Sequence, residues 1–107
     1  MAGQPASGWI ATAASFPVAL AAPIPVANVV YTSDPSAPHC GGAGKADPGY
    51  LCIYQVASAS VMTPPSVYGM ESGAPQQGSG RFGFNMEWTV NGMVNPYATG
   101  TWTVTAP

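Results

Sequence analysis

Charge is the scarcest property of this chain of 107 residues. Only 6% of the residues carry it, against roughly 25% in ordinary soluble domains. The charged residues are Asp34, Lys45, Asp47, Glu71, Arg81 and Glu87. Two basic residues are too few to neutralise a row of phosphates or to bind an anionic membrane surface. We therefore expect no nucleic-acid partner.

Long helical patterns are also missing, since no stretch of ten residues combines helical periodicity with capping residues. Segment 9–31 carries no charge and is long enough to cross a membrane. Pro17, Pro23 and Pro25 interrupt it, and no basic residue precedes Lys45. The sequence therefore predicts neither a membrane span nor a signal peptide within this chain. Export, if it occurs, would follow a route that the chain does not encode.

This shortage of charge does not predict disorder, because disordered chains combine low hydrophobicity with high net charge. Here 47% of the residues are hydrophobic and the net charge is −2. Serine, threonine, asparagine and glutamine supply the polarity, and the weak charge gives little repulsion between copies. One domain over residues 1–107 is expected, with residues 1–8 as a flexible arm, and a partner built from copies of the chain is plausible.

The clearest strand pattern is RFGFNMEWTV, residues 81–90. Alternate residues are apolar, which predicts a half-buried strand. The inward set is Phe82, Phe84, Met86, Trp88 and Val90, and the outward set is Arg81, Gly83, Asn85, Glu87 and Thr89. Asn91-Gly92 follows as a turn signal. The segment ATGTWTVTAP alternates again, with Trp102 and Val104 on one face.

Segments 9–13 and 16–20 are expected to form either two strands or one bent strand. Further strands are expected over 26–32 and 50–57, with a short or broken one around Val67. Proline- and glycine-rich loops fill 33–49 and 69–80. Short strands separated by such turn signals favour an all-β fold. We therefore predict an antiparallel β-sandwich or jelly roll, rich in loops and held by one disulfide.

The stretch HCGGAGKADPGYLC, residues 39–52, is the one place that suggests chemistry. A structural zinc site needs about four ligands, with its cysteines in closely spaced pairs. Cys40 and Cys52 are far apart in the sequence, and His39 is the only histidine. A complete site would therefore also need Asp34 or Asp47. A redox C-x-x-C motif is absent, and a Cys–His nucleophile needs a third, orienting group. A disulfide between Cys40 and Cys52 remains the favoured interpretation, which implies an oxidising setting.

Other catalytic patterns are weak. Glu71 and Glu87 are the only glutamates, and a glycosidase would need two carboxyl groups across a cleft. A G-x-S-x-G elbow is absent, and GGAGK lacks the Ser or Thr of a phosphate loop. We therefore expect no enzymatic activity, no metal site and no cofactor, although a hydrolase that uses either glutamate stays a third hypothesis.

The aromatic residues offer a surface instead. Trp88 and Trp102 alternate with apolar residues, which favours the core. Tyr68 and Tyr97 lie near turns, where side chains are more often exposed. These two tyrosines are the candidate binding surface.

Two motifs carry a resemblance to a known group. They are Pro48-Gly49-Tyr50-Leu51-Cys52-Ile53-Tyr54, which follows the Cys40 loop, and the terminal segment 100–107, GTWTVTAP. With these motifs the chain resembles small C-terminal β-domains of actinobacterial secreted or collagen-like proteins and of phage tail or capsid proteins. It also resembles trimeric jelly-roll heads. The resemblance implies an architecture and an extracellular setting on a virion or cell surface, and it does not imply an activity.

Two functional hypotheses follow. The first is a non-enzymatic structural domain that assembles, with a homotrimer favoured, to decorate a virion or cell surface. The second is an adhesion module that binds carbohydrates or a receptor through Tyr68 and Tyr97. Partners would then be copies of the chain, other surface proteins or glycans.

Overall fold

The computed structural model describes residues 8–42, 44–69, 76–91 and 95–107. In these ranges the regular structure is almost entirely β-strand, apart from a 3-10 helix at Val26–Asn28. The strands are β1 (Trp9–Ser15), β2 (Val29–Thr32), β3 (Leu51–Ala59), β4 (Ser66–Gly69), β5 (Gln76–Gln77), β6 (Gly83–Thr89) and β7 (Tyr97–Val104). The expected N-terminal arm falls mostly on residues 1–7, which lie outside the described ranges, as does Gly92 of the expected turn.

The strands form two small sheets. One has four strands in the order β1-β6-β4-β5, and the other has three in the order β2-β3-β7. All pairs are antiparallel except β2 with β3, which is parallel. The expectation of a wholly antiparallel fold is therefore wrong at this pair. Residues 33–50 separate the two strands, and a connection of that length can return the chain to the same end of the sheet.

Strand β6 confirms the alternation predicted for it. Phe84, Met86 and Trp88 are buried, while Asn85 and Glu87 are half-buried on the opposite face. Side chains that alternate across a pleated strand place one face on the core and leave the other face to solvent. The hydrophobic period alone therefore defines the orientation of this strand.

Phe82 departs from that prediction, because its side chain is 53% exposed. The strand begins only at Gly83, so Phe82 lies in a bend where the alternation does not hold. Its ring lies 5.0 Å from the Arg81 guanidinium carbon, a cation–π distance. Its carbonyl accepts the amide of Phe16 and holds the bend against the end of β1.

Segment 16–20 is also not a strand. Phe16 and Leu20 are buried in the core while Pro17 and Val18 between them are exposed. Two amides of this segment bond to the carbonyls of Phe82 and Arg81. The segment therefore covers the core with two separate side chains, and the proline at position 17 fits this irregular backbone better than a ladder.

The main core takes residues from both sheets. Phe84 of β6 meets Trp102 of β7 edge to face at 5.3 Å, and the ring of Phe16 lies 6.0 Å and 5.7 Å from these two. Leu51 and Ile53 of β3 are buried in the same cluster. Tilted and edge-to-face aromatic pairs of this kind add to the stabilisation that burial provides.

A second, smaller cluster lies on the other side of β3. Cys52 and Tyr54 point away from the main core and pack with Cys40 and Ala37 of the preceding loop. The first four residues of β3 are thus buried on both faces, as the continuous apolar run LCIY indicates. Within the described residues, no helix is long and apolar enough to cross a membrane.

Candidate functional sites

The loop between β2 and β3 contains the predicted disulfide. Cys40 and Cys52 are bonded, with their Cα atoms 5.8 Å apart, and both are fully buried. The hydroxyl group of Tyr54 bonds to the Cys40 carbonyl and accepts the amide of Gly42 at 2.9 Å. The covalent bond and the tyrosine therefore fix the same part of the loop to β3.

His39 lies at the surface of this loop. Its ring stacks on Tyr50 with 4.1 Å between ring centres, and its Nδ1 lies 3.0 Å from an oxygen of Asp47. The sulfur atom of Cys52 lies 3.6 Å from the His39 carbonyl oxygen. It is not a free thiol, because Cys52 is bonded to Cys40. In the described part of the chain, no three His, Cys, Asp or Glu side chains lie close enough to hold a metal ion.

Asp34 begins the same loop and closes a local turn. Its carboxylate accepts the amide and the hydroxyl of Ser36 at 2.9 Å and 2.8 Å. These two bonds favour the ionised form, so they lower the pKa of Asp34 below its ordinary value. The carboxylate therefore organises a turn and is not brought together with Asp47, which pairs with His39.

The two candidate tyrosines lie in different sheets. Tyr68 is half-buried in β4, and Tyr97 is 47% exposed at the start of β7. The Tyr68 hydroxyl donates a long hydrogen bond of 3.4 Å to Glu87. Glu71, the other glutamate of the hydrolase hypothesis, lies outside the described residues.

A cleft of about 470 Å³ opens between the two sheets, and we call it the inter-sheet cleft. Strands β1, β2, β3, β6 and β7 line it, and none of the described residues in its lining is charged. Tyr31 donates a hydrogen bond of 2.9 Å to Gln55 at its wall. Trp88 also lines the cleft, and its buried indole N–H meets no hydrogen-bond partner in the part of the chain that the structure describes. The cleft is thus apolar, with a few neutral polar groups.

The opposite side of the four-stranded sheet forms a second surface, which we call the outer face. Directly opposed residues of antiparallel strands point to the same side, so the strand register defines its members. They are Trp9, Ala11, Ala13 and Ser15 of β1, Gly83, Asn85, Glu87 and Thr89 of β6, Ser66 and Tyr68 of β4, and Gln77 of β5. Met62 lies next to this row, because its amide bonds to the Thr89 carbonyl.

The outer face is open to solvent at two places. Trp9, on the β1 side, is 72% exposed, and Met62, beside Thr89 on the other side of β6, is 54% exposed. Asn85, Glu87 and Tyr68 are half-buried, as expected for central strands whose side chains stand side by side. The carboxylate of Glu87 and several amide and hydroxyl groups therefore lie between the exposed Trp9 and Tyr68.

Tyr68 is a candidate from the sequence, whereas Trp9 is not. Both alternate sets of WIATAAS are largely apolar, so no local signal shows which way Trp9 points, and the sequence does not say that β1 pairs with β6, about 70 residues away. No protein-family model, curated protein or solved structure matches this chain.

Proposed function

We propose that the chain is a non-enzymatic structural domain that assembles with copies of itself, with a homotrimer favoured, through the edges of its two sheets. In this proposal the sheets form a β-sandwich that decorates a virion or cell surface. The observation that carries the proposal is the chemistry of the two long edge strands, β1 and β7.

Both strands lie at an edge of their sheet in the described ranges. Strand β1 has seven residues and β7 has eight, and neither contains a charged residue or a proline. Proteins that remain monomeric commonly protect such edges with charges, prolines or bulges, because an unpaired strand is a template for another strand. The unprotected edges here favour pairing between chains.

The hydrogen-bond pattern identifies which groups of β1 remain available. The amide of Val90 bonds to the Gly8 carbonyl, and the amide of Phe16 bonds to the Phe82 carbonyl. Alternate residues of an antiparallel strand bond to the same neighbour, so even-numbered residues of β1 bond to β6. The backbone groups of Ala11 and Ala13 consequently point away from the sheet and can accept and donate bonds to a partner strand.

Because β1 and β7 are two different edges of one chain, copies of the chain can join head to tail in a closed ring. A contact between β1 of one copy and β7 of the next is heterologous, and repeated heterologous contacts close into rings when the rotation permits. Both strands also line the inter-sheet cleft, so the same contact would cover apolar surface. This arrangement supports a trimer more directly than a pair of identical β1 edges, which would give a dimer.

The disulfide and the scarcity of charge support the proposed setting. Disulfides persist in oxidising compartments, and the Cys40–Cys52 bond fits an extracellular location. With 6% charged residues and a net charge of −2, long-range repulsion between copies is weak. These properties support a protein that works in an assembly.

Sedimentation at micromolar concentration tests the proposal. We expect a mass close to three times the 10.8 kDa of the chain. In Ala13→Pro the outward amide is lost without removal of a bond to β6, and we expect association to weaken at least about tenfold.

Ala13→Val is the matched control, because it keeps the amide and favours a strand. We expect it to assemble as the parent chain does, and circular dichroism should show that both variants keep their strands. A monomer at all concentrations, or equal association of the two variants, would contradict the proposal.

A further inference from the structure

We infer that the outer face of the four-stranded sheet is a binding platform for a neutral, linear oligosaccharide, with Trp9 and Tyr68 as its aromatic anchors. This inference does not depend on assembly through the strand edges. It replaces the pair Tyr68 and Tyr97, which lie in different sheets, with two aromatic residues on one face.

The shape of the face fits an extended ligand. Trp9 is opposite Thr89 on β6, whereas Tyr68 is opposite Asn85, which lies four residues before Thr89 on the same strand. From the rise per residue and the spacing of strands, the two anchors are roughly 15 Å apart. A short oligosaccharide spans that distance, and a monosaccharide does not.

The chemistry between the anchors fits a sugar. The row contains the carboxylate of Glu87, the amide of Asn85 and the hydroxyl of Thr89. Carboxylates accept hydrogen bonds, and amides and hydroxyls both donate and accept them, which matches a ligand with many hydroxyl groups. Aromatic side chains pack against the C–H groups of a sugar because the face of the aromatic ring is electron-rich.

Glu87 is already oriented for such a contact. It is half-buried in the central strand β6, and the Tyr68 hydroxyl donates to its Oε2 at 3.4 Å. An ionised carboxylate can accept several hydrogen bonds, so capacity remains for a sugar hydroxyl. Tyr68 therefore both packs against the ligand and positions the carboxylate beside it.

Charge selects among the possible occupants. Among the described residues that the strand register places in this row, Glu87 alone is charged, and it is negative. A sialylated, sulfated or phosphorylated ligand would place like charges together on this face, which is unfavourable. A protein partner would be expected to bury a largely apolar centre, whereas the centre of this face is polar. The neutral polyhydroxylated class is the best match.

Binding to soluble neutral oligosaccharides tests the inference, with cellotetraose, maltotetraose and chitotetraose as probes for the parent chain. We expect at least one probe to bind and to protect Trp9 from acrylamide quenching, because Trp9 is far more exposed than Trp88. Sialylated and sulfated oligosaccharides of similar length should bind at least about tenfold more weakly.

Variants locate the site. Tyr68→Ala should weaken binding at least about tenfold, as truncation of a central aromatic anchor does in other interfaces. Tyr68→Phe keeps the ring, so its affinity for the probe should remain within about threefold of that of the parent chain. This variant shows whether the loss in Tyr68→Ala comes from the missing ring. Tyr97→Ala is the matched control, since it removes an exposed tyrosine from the other sheet, and it should leave binding unchanged.

Three results would overturn the inference. They are failure of all three neutral probes to bind, preference for the acidic oligosaccharides, and equal loss of binding in Tyr68→Ala and Tyr97→Ala. A change in sedimentation mass in Tyr68→Ala without any glycan binding would assign the face to contacts between chains instead. None of these results depends on whether Ala13→Pro dissociates the assembly.

Discussion

Gly78 is a residue at which the backbone tolerates little change. It adopts φ +89°, and a Cβ atom built there would lie 2.2 Å from the Ile24 carbonyl oxygen. The adjacent Ser79 is fully buried and bonds to the same segment. Its amide donates to the Ile24 carbonyl at 2.9 Å, and its hydroxyl accepts the Ile24 amide at 3.2 Å. A glycine is required here for two reasons, a left-handed conformation and a close approach of two backbones.

Gly78→Ala should lower the free energy of unfolding by at least about 2 kcal/mol, because it combines left-handed strain with a steric clash. Urea denaturation measures the change. Gly41→Ala is the control, since nothing lies within 4 Å of its added Cβ atom, and it should change stability by less than about 0.5 kcal/mol. Equal effects of the two substitutions would show that the contact at Ile24 does not constrain the fold.

At the scale of elements, β3 and the disulfide loop form one unit. The loop covers the face of β3 that carries Cys52 and Tyr54, and the end of β7 holds it from the other side. The Thr105 hydroxyl donates to the Ala46 carbonyl at 2.8 Å, and the amide of Gly49 bonds to the Thr105 carbonyl at 2.8 Å. The two sequence motifs around Cys52 and Trp102 form neighbouring antiparallel strands of this unit.

Removal of the disulfide should destabilise this unit. We expect Cys40→Ala/Cys52→Ala to lower the free energy of unfolding by about 3 kcal/mol, because the closed loop restricts the unfolded chain. Chemical denaturation with and without reductant measures the loss. Reductant should destabilise the parent chain by a similar amount and leave the double variant unaffected, and an unchanged midpoint of the parent chain would contradict the expectation.

The elements also show where prediction from sequence succeeds. Strand β6 has the strictest alternation in the chain, and its buried residues are those predicted. Segment 26–32 was expected to be one strand, but its first residues form the 3-10 helix and β2 begins at Val29. Pro25 precedes that turn, and a short apolar run beside a proline does not distinguish a strand from a tight turn.

At the scale of the whole molecule, the two proposals are compatible. Backbone hydrogen bonds of an edge strand lie in the plane of the sheet, whereas the side chains of the outer face stand perpendicular to it. Addition of a strand at β1 would therefore leave Trp9 and Tyr68 accessible. Assembly of several chains would place several platforms on one particle, which raises the avidity for a surface with repeated glycans.

Assembly should also resist salt. Backbone hydrogen bonds and apolar contacts at β1 and β7 involve no charged side chain, so screening has little to remove. We expect the association constant from sedimentation to be the same or higher at about 1 M NaCl, where the Debye length is about 3 Å, than at about 0.05 M. A tenfold decrease would indicate that charged groups outside these strands hold the copies together.

The sequence by itself determines the all-β character, the disulfide and the inward face of β6. Each of these depends on local alternation, or on two cysteines with no competing partner. Only the tertiary structure decides that β2 runs parallel to β3, that Phe82 is exposed, and that Trp9 shares a face with Tyr68. Pairing between strands far apart in the chain depends on how loops close and how side chains fill one core, and a local pattern contains neither kind of information.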